Sequence, residues 1–345
     1  MTDMEENALT KLTELTELTK LSSVEEMKRL RSWLSTQLPT ASSLYHMLWF
    51  ADANLDSAEI FYHIEEEEGV IISIQSKKVN DKLGTPIDST EEFLVCLHSS
   101  VPMPTGIATE FASLIHERSH GVHKVCIKAL NAAQYEPIAA GFAEFDIKQQ
   151  WMEPCGFFRR FHTPIPHTDS HIKPVCQGDA QKDNKYTYTE VDLWLTRNST
   201  ETNNRYAEII NDNWKYKSDS SLAMIKLMLQ NNPSAGIIAT KNGGNVDSGE
   251  LVGWILSYDD GAVGMLFILE EHRRKGLARK VLKLLLDKTR KRKSLQLQKG
   301  EKNSIDYDYC YIVNGNEASE SLFLGIGFER VADCSWKGFN DDSRK

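Results

Sequence analysis

The 345-residue chain has no Cys-x-x-Cys pair. Its six cysteines, Cys96, Cys126, Cys155, Cys176, Cys310 and Cys334, stand 21 or more residues apart. That spacing offers neither a zinc framework nor a disulfide scaffold, so no metal is expected and reduced thiols inside the cell are the simplest reading. No apolar run approaches the roughly 18 residues a membrane span needs. The opening MTDMEENALTKLTEL carries Asp3, Glu5 and Glu6, and the first arginine is Arg29. Signal peptides open on basic residues and transit peptides are Arg-rich and poor in acids. The expectation is therefore a cytoplasmic protein, with the nucleus as the other compartment, and the Asn198-Ser199-Thr200 sequon is a chance match. Positive charge is in deficit, 40 Lys+Arg against 49 Asp+Glu for a net charge of −9. This argues against general coating of nucleic acid but leaves room for a local basic patch.

What is present suits a two-domain α/β protein with a mixed sheet, since domains run to roughly 100–200 residues. Residues 9–21, LTKLTELTELTKL, repeat leucine every third position, which drifts around a 3.6-residue helix and keeps no single apolar face. They read as a loosely held helix or a partner-binding tail. Ser22 and Ser23 stand three residues before Glu25 and Glu26, a capping-box pattern. They open a helix with Val24, Met27, Leu30 and Leu34 on one face, completing a helical segment over 1–40. An α/β domain follows over 41–162. VIISI (70–74) and FLVCLH (93–98) read as strands, Ala108–Arg118 as a helix and 123–130 as a strand or short helix. Residues 163–185, rich in Pro, Asp, Lys and His without period, read as a linker. A second domain spans 186–340. Its strands are expected at Tyr186–Leu195, Ala235–Thr240, Leu251–Tyr258, Ala262–Leu269, Tyr307–Val313 and Glu329–Phe339. Helices are expected at Thr200–Trp214, Ser221–Gln230, Gly276–Lys293 and Glu317–Leu324. Asp259-Asp260-Gly261 marks a hairpin.

One stretch carries chemistry. From Gly264 an apolar strand runs into Glu271-His-Arg-Arg-Lys-Gly276 and then a long helix. Amides at a helix N-terminus lack partners within the helix, and the dipole there is positive. Arg273, Arg274 and Lys275 add charge, and Gly276 has no Cβ to keep a phosphate away. The pattern is a pyrophosphate cradle. It is not a P-loop, whose Gly-x-x-x-x-Gly-Lys-Ser/Thr spacing is absent, nor a dinucleotide fingerprint, because no Gly-x-Gly precedes the helix.

Arg273-x-x-Gly276-x-Ala278 resembles the Arg/Gln-x-x-Gly-x-Gly/Ala signature of the GNAT superfamily of acyl-CoA-dependent N-acyltransferases. Asn316-x-x-Ser319-x-x-x-Phe323-x-x-x-Gly327-Phe328 is similar to that family's Asn-x-x-Ala-x-x-x-Tyr-x-x-x-Gly-Phe segment. Pro233-Ser-Ala-Gly236, Trp254-Ile-Leu and Gly264-Met-Leu look like its glycine N-acyltransferase-like branch. The resemblance is specific over 186–339. It implies a GNAT-like fold there, and in that branch the first half is a degenerate GNAT-like domain. It implies acyl transfer from acyl-CoA to an amine, glycine or another small amine, by direct attack in a ternary complex. The backbone of Phe267, Ile268 and Leu269 would pair with the pantetheine arm. The amides of Arg274, Lys275, Gly276, Leu277, Ala278 and Arg279 would hold the pyrophosphate, and Asn316 would touch the cofactor beyond it.

The same comparison exposes two departures. The family often carries a Glu where this chain has Ala262, and a Tyr acid where it has Phe323. A protonated alkyl amine, with a pKa near ~10.4, benefits from a proton acceptor at neutral pH. Asp259 and Asp260 are the nearest carboxylates and the candidate catalytic pair, acting through water. Tyr309, Cys310 and Tyr311 are substitutes for the missing acid. An acyl-CoA-binding pseudoenzyme with a regulatory or scaffolding role is the alternative, and the leucine-rich N-terminus would then recruit a protein partner. Other signals weigh less. Residues 273–293 hold eleven Lys/Arg, and 288–293 read mainly as a solvated face, with a nucleic-acid or nuclear-import patch as the sharper option. His116, His120 and His123 share helical spacing near Cys126, but Gly121 interrupts the helix, so a metal site is not expected. His162, His167 and His171 fall at or within the linker. Trp214, at a helix end on the expected acceptor side, is a candidate to stack on substrate.

Overall fold

The computed structural model describes residues 17–50, 58–65, 67–77, 91–119, 123–162, 181–182, 185–193, 200–218, 221–241, 246–298 and 307–340. The first half begins with strand β1 (Thr19–Lys20) and helices α1 (Val24–Thr36) and α2 (Ser42–Phe50). Strands β2 (Glu59–Glu65), β3 (Glu68–Lys77) and β4 (Glu91–Ser99), helix α3 (Thr105–Ser119), strand β5 (His123–Leu130), helix α4 (Ala132–Glu144) and strand β6 (Gln149–Phe161) follow. The second half contains β7 (Gln181–Lys182), β8 (Tyr186–Asp192), α5 (Thr200–Asp212), α6 (Ser221–Asn231), β9 (Ser234–Lys241), β10 (Glu250–Ser257) and β11 (Val263–Ile268). It ends with α7 (Leu277–Gln298), β12 (Tyr307–Val313), α8 (Glu317–Leu324) and β13 (Glu329–Phe339). No described helix is long and apolar enough to cross a membrane.

The first unit comprises residues 1–157, 312–315 and 331–345. Its strands belong to an eight-stranded sheet of order β1-β2-β3-β4-β5-β13-β6-β12. The β4–β5 pair is parallel, with α3 as the crossover that parallel strands require. One face buries Ile72, Ile74, Phe93 and Val95 against Phe111 of α3 and Phe142 of α4. The two helices approach so closely that a Cβ on Gly141 would fall 2.8 Å from the Ala108 carbonyl oxygen. Helix α1 has the expected capping box: Ser23 Oγ accepts the Glu26 N–H at 3.2 Å, and the Glu26 carboxylate accepts the Ser23 N–H. Met27, Leu30 and Leu34 are buried, whereas Val24 stays 53% exposed. Trp33 of α1 packs on His98 of β4, whose burial pushes its imidazole down to about 4.

The second unit comprises 158–311 and 316–330. Its antiparallel sheet has the order β11-β10-β9-β8-β7. Leu251, Trp254 and Ile238 form one core with Ala207 and Ile210 of α5 and Ile225, Met228 and Leu229 of α6. Helix α7 lies along β9, β10 and β11. Leu277, Val281, Leu282, Leu285 and Leu286 are its buried stripe, recurring every three to four residues as an amphipathic helix requires. Strand β12 is not part of this sheet; its Tyr307 packs edge-on against Phe161, 5.7 Å between centroids.

Several segments differ from the sequence reading. Helices α2 and α4 and strand β6 carry no strong periodic signal. Pro137 and Gly141, both poor interior helix residues, hide α4. Thr19 and Lys20 pair as strand with Tyr62 and Phe61 instead of continuing a helix, and the rest of the leucine repeat before residue 17 lies outside the described residues. Gln181 and Lys182, within the expected linker, pair with β8. The units are also not contiguous. The chain's last strand, β13, pairs with β5 of the first unit, with Phe339 opposite Val125 and Gly338 opposite Cys126. Contiguous domains at 41–162 and 186–340 miss that return, because strand pairing across two hundred residues leaves no mark in local sequence.

Candidate functional site

The site is built on the end strand of the second sheet. Strand β11 pairs with β10 as Gly253↔Ile268 and Trp254↔Phe267, then as Leu256↔Gly264 and Ser257↔Val263. Met265 and Leu266 therefore face the single residue Ile255, a bulge, and Met265 takes a φ of 54°. Among the described residues no strand pairs with the other side of β11, so its backbone presents an open edge there. The Leu269 N–H donates to Val252 O at 2.8 Å. Ladder alternation then turns the backbone groups of Ile268 outward and those of Phe267 and Leu269 toward β10. Of the three residues expected along the pantetheine arm, Ile268 alone lies on the open edge.

Beyond β11 the chain makes a tight turn through Glu270–His272, with the Arg273 N–H on Glu270 O at 3.1 Å. Arg274 (φ 60°) and Gly276 (φ 70°) then take left-handed conformations, and the Lys280 N–H on Gly276 O at 3.2 Å opens α7. The amides of Gly276, Leu277, Ala278 and Arg279 thus lie ahead of the first helical hydrogen bond and point out of the helix mouth. A Cβ added at Gly276 would meet no atom within 4 Å. The turn is open where a phosphate would approach, so the residues present fit a diphosphate group.

The basic side chains of this turn do more than supply charge. Arg273 Nε donates to Ile268 O at 3.0 Å, and its guanidinium lies over the Phe267 ring at 5.4 Å, which itself stacks on Trp254. Lys275 Nζ donates to the Tyr188 hydroxyl at 2.8 Å, and that oxygen lies 3.0 Å from Nδ1 of buried His272. Lys275 also lies over the rings of Tyr186 and Tyr188. The sequence reading missed this anchor. The i, i+2 spacing of Tyr186 and Tyr188, which places both on one face of β8, was the available signal. Arg279 Nη2 donates to Gly325 O at 3.1 Å and so ties α7 to the end of α8. Asn316 is the N-cap of α8, its Oδ1 accepting the Ser319 N–H at 3.2 Å.

The candidate catalytic groups are placed less favourably. Asp259 and Asp260 lie at the β10–β11 hairpin, separated from the basic turn by a six-residue strand that spans roughly 20 Å. Asp260 is 3% exposed, its Oδ1 accepts the Ala262 N–H at 3.1 Å, and its carbonyl accepts the Tyr309 hydroxyl. Its side chain is a turn cap. Asp259 is exposed and accepts from Asn232 Nδ2 at 2.6 Å. Phe323 is buried edge-on against Phe328. Burial pushes the Cys310 thiol up, and Tyr309 is fully buried. Tyr311 is the partly exposed one of the three substitutes.

The remaining candidates resolve simply. Lys288 pairs with Asp192 at 2.8 Å and donates to Ser234 O, Arg292 Nη1 donates to Asn231 O, and Lys293 pairs with Asp308 at 3.3 Å. Much of the basic run thus braces α7 against its own unit. Asp308 loses solvation on burial. Lys293, His162 and the Thr289 hydroxyl outweigh that cost and hold its carboxyl at about 2. His116 ends on α3 beside Phe145 while His123 begins β5, so the helical histidine spacing is broken; His120 lies outside the described residues, as do His167, His171 and Cys176. Among the described residues no group of three or more His, Cys, Asp or Glu is placed to hold a metal ion. Trp214 packs against the core of α5 and α6 and contacts Tyr216 edge-on.

The family described as FR47-like protein matches residues 243–337, the stretch that contains the bulged strand, the basic turn, α7 and α8. A solved Drosophila protein is similar at 17% identity, covering 93% of this chain and 97% of its own, with a TM-score of 0.59. A GCN5-related N-acetyltransferase from Sphaerobacter thermophilus is similar at 11% identity, covering 95% and 98%, with a TM-score of 0.51. No curated protein matches the chain. The mixed α/β architecture is accordingly the GNAT acetyltransferase fold.

Proposed function

We propose that the chain is an acyl-CoA-dependent N-acyltransferase of the glycine N-acyltransferase-like kind, acting on glycine or another small amine. One observation carries the reading: a helix mouth with left-handed Arg274 and Gly276, open above Gly276, stands at the end of a bulged strand whose outer edge pairs with no strand among the described residues. The amides of 276–279 and the dipole of α7 would hold the pyrophosphate. The outward N–H of Ile268 would align the pantetheine arm, its carbonyl already accepting from Arg273, and Arg273 and Lys275 keep the turn in its left-handed form through their contacts with β11 and β8. Bound acyl-CoA supplies a thioester, a carbonyl already activated for attack by an amine. Asp259, exposed beside Asn232, is the carboxylate able to take the amine's proton through solvent. The thiol leaves without a dedicated acid, since a pKa near ~8.5 makes it a tolerable leaving group. The cytosol or nucleus is the compartment this reading favours.

A second reading has its own support. Asp260 is spent on capping Ala262, and Phe323 stands buried where the family often has a tyrosine. A protein that binds acyl-CoA for a regulatory or scaffolding purpose would show both. A panel of acyl-CoAs against amines, read as released thiol, is measured beside thermal stabilisation by each acyl-CoA. Binding to the native state alone at 100-fold above Kd is worth about 2.7 kcal/mol, a clear upward shift of Tm. Stabilisation with thiol release supports the enzyme, and stabilisation with no release from any amine supports the binding protein. No stabilisation by any coenzyme A species refutes both.

A further inference from the structure

Two cysteines of the first unit meet across neighbouring strands. Cys155 of β6 and Cys334 of β13 have their sulfurs 3.4 Å apart. Two further contacts fix how these strands align. A Cβ on Gly338 would fall 2.0 Å from Nε1 of Trp151, so that ring lies directly on Gly338. Lys337 Nζ donates to Met152 Sδ at 3.0 Å. In all three pairs the residue numbers add to the same value, as in antiparallel register with Cys155 directly opposite Cys334. Contacts at 151, 152 and 155 alternate between the two sheet faces, so slipping the register would break packing on both.

Directly opposed residues of antiparallel strands bring Cβ atoms to about 4.5–5.5 Å. A disulfide needs sulfurs at about 2.05 Å, about 1.4 Å closer than here, and Cβ atoms at about 3.5–4.5 Å, so closing the bond takes side-chain rotation with a small approach of the two strands. The pair is also asymmetric. Cys155 is 1% exposed, whereas Cys334 is partly exposed and is the more accessible of the two.

We propose that Cys155 and Cys334 form a reversible disulfide modification site, closed by a small-molecule disulfide such as oxidised glutathione. The Cys334 thiolate attacks one sulfur of that disulfide, the S–S bond breaks, and one glutathione thiolate leaves. Cys155 gives up its proton, and its sulfur then attacks Cys334 Sγ in the mixed disulfide and expels the second glutathione. Two protein thiols are oxidised to one disulfide and one glutathione disulfide is reduced to two thiols, with protons balanced through solvent. The bond closes a loop spanning 179 positions and fastens the chain's last strand to β6. Closing so long a loop restricts the unfolded chain, so oxidation raises the thermal midpoint.

The test incubates the full-length protein with oxidised glutathione, blocks remaining thiols with N-ethylmaleimide and digests with trypsin under non-reducing conditions. Cleavage after Lys148, Arg159, Arg330 and Lys337 isolates the two cysteines on separate peptides. The expected product is the 149–159 peptide linked to the 331–337 peptide, released by dithiothreitol, with Tm raised by several degrees. Cys155→Ser should stop at glutathione on Cys334 with no rise in Tm. Cys334→Ser should leave Cys155 unmodified. The proposal is overturned if Cys334 in the native protein carries glutathione without the cross-link, pairs with Cys176, or remains a thiol under conditions that oxidise dithiothreitol.

Discussion

Gly276 separates charge from shape at the basic turn. Its φ of 70° is a conformation in which an L-residue is strained by roughly 1–2 kcal/mol, and a Cβ there meets nothing within 4 Å. Gly276→Ala and Gly276→Asp should therefore both fold. Asp tolerates the left-handed region better than Ala, so the Asp variant should lose no more stability than the Ala variant in urea unfolding. Binding should rank the other way. A carboxylate roughly 5 Å from a diphosphate at an effective dielectric of about 20 costs about 3 kcal/mol per phosphate charge. Halving the sum for two charges to allow for solvent and the nearby cations leaves about 3 kcal/mol, or at least 100-fold in Kd. Calorimetric titration with coenzyme A should show a loss of about 10-fold or less for Gly276→Ala and 100-fold or more for Gly276→Asp. A folded Gly276→Asp protein that binds coenzyme A as the native protein does would refute the cradle. Equal losses in both variants would refute the argument that charge decides.

If Asp259 takes the amine's proton, Asp259→Asn should lower the rate near pH 7 and matter less above pH 9, where more amine is already neutral; superimposable pH–rate profiles would clear it. Asp260→Ala should instead act on stability, by about 1–2 kcal/mol, because it strands the buried Ala262 N–H, and urea unfolding at pH 7 reads this directly. The buried Asp308 carboxyl is held at about 2 in the fold, against an ordinary value near ~3.9 in the unfolded chain. Its folded pKa is depressed, so its stabilisation is present above about pH 4 and lost as pH falls toward 2. At neutral pH this amounts to about 2–3 kcal/mol. The stability gap between native and Asp308→Asn protein should narrow as pH falls from about 4 toward 2, and a gap that does not narrow would contradict the assignment.

The parts of this protein that sequence made legible are those whose signals sit within a few residues. The capping box at Ser23 and Glu26, the buried runs of β3 and β4, the Asp259-Asp260-Gly261 hairpin and the strand–basic-turn–helix unit around Gly276 each declare themselves locally. Caps, turns and helix mouths are made by neighbours in the chain. The shape of the turn was legible for the same reason, since a left-handed glycine and the free amides of a helix mouth need no distant partner.

What only the tertiary structure decided is where the side chains and the long-range pairings go. Sequence marks Arg273 and Lys275 as charges for a ligand, and packing spends Arg273 on Ile268 and Lys275 on Tyr188. Sequence offers Asp260 as a base, and burial converts it into a cap for Ala262. The basic run at 288–293 looks like a solvated face until Asp192 and Asp308 arrive from other strands to pair with it. The return of β13 to β5, which sets Cys334 against Cys155, joins residues more than 170 positions apart. Such contacts depend on which elements become neighbours in three dimensions, and composition and period along one segment hold no information about that.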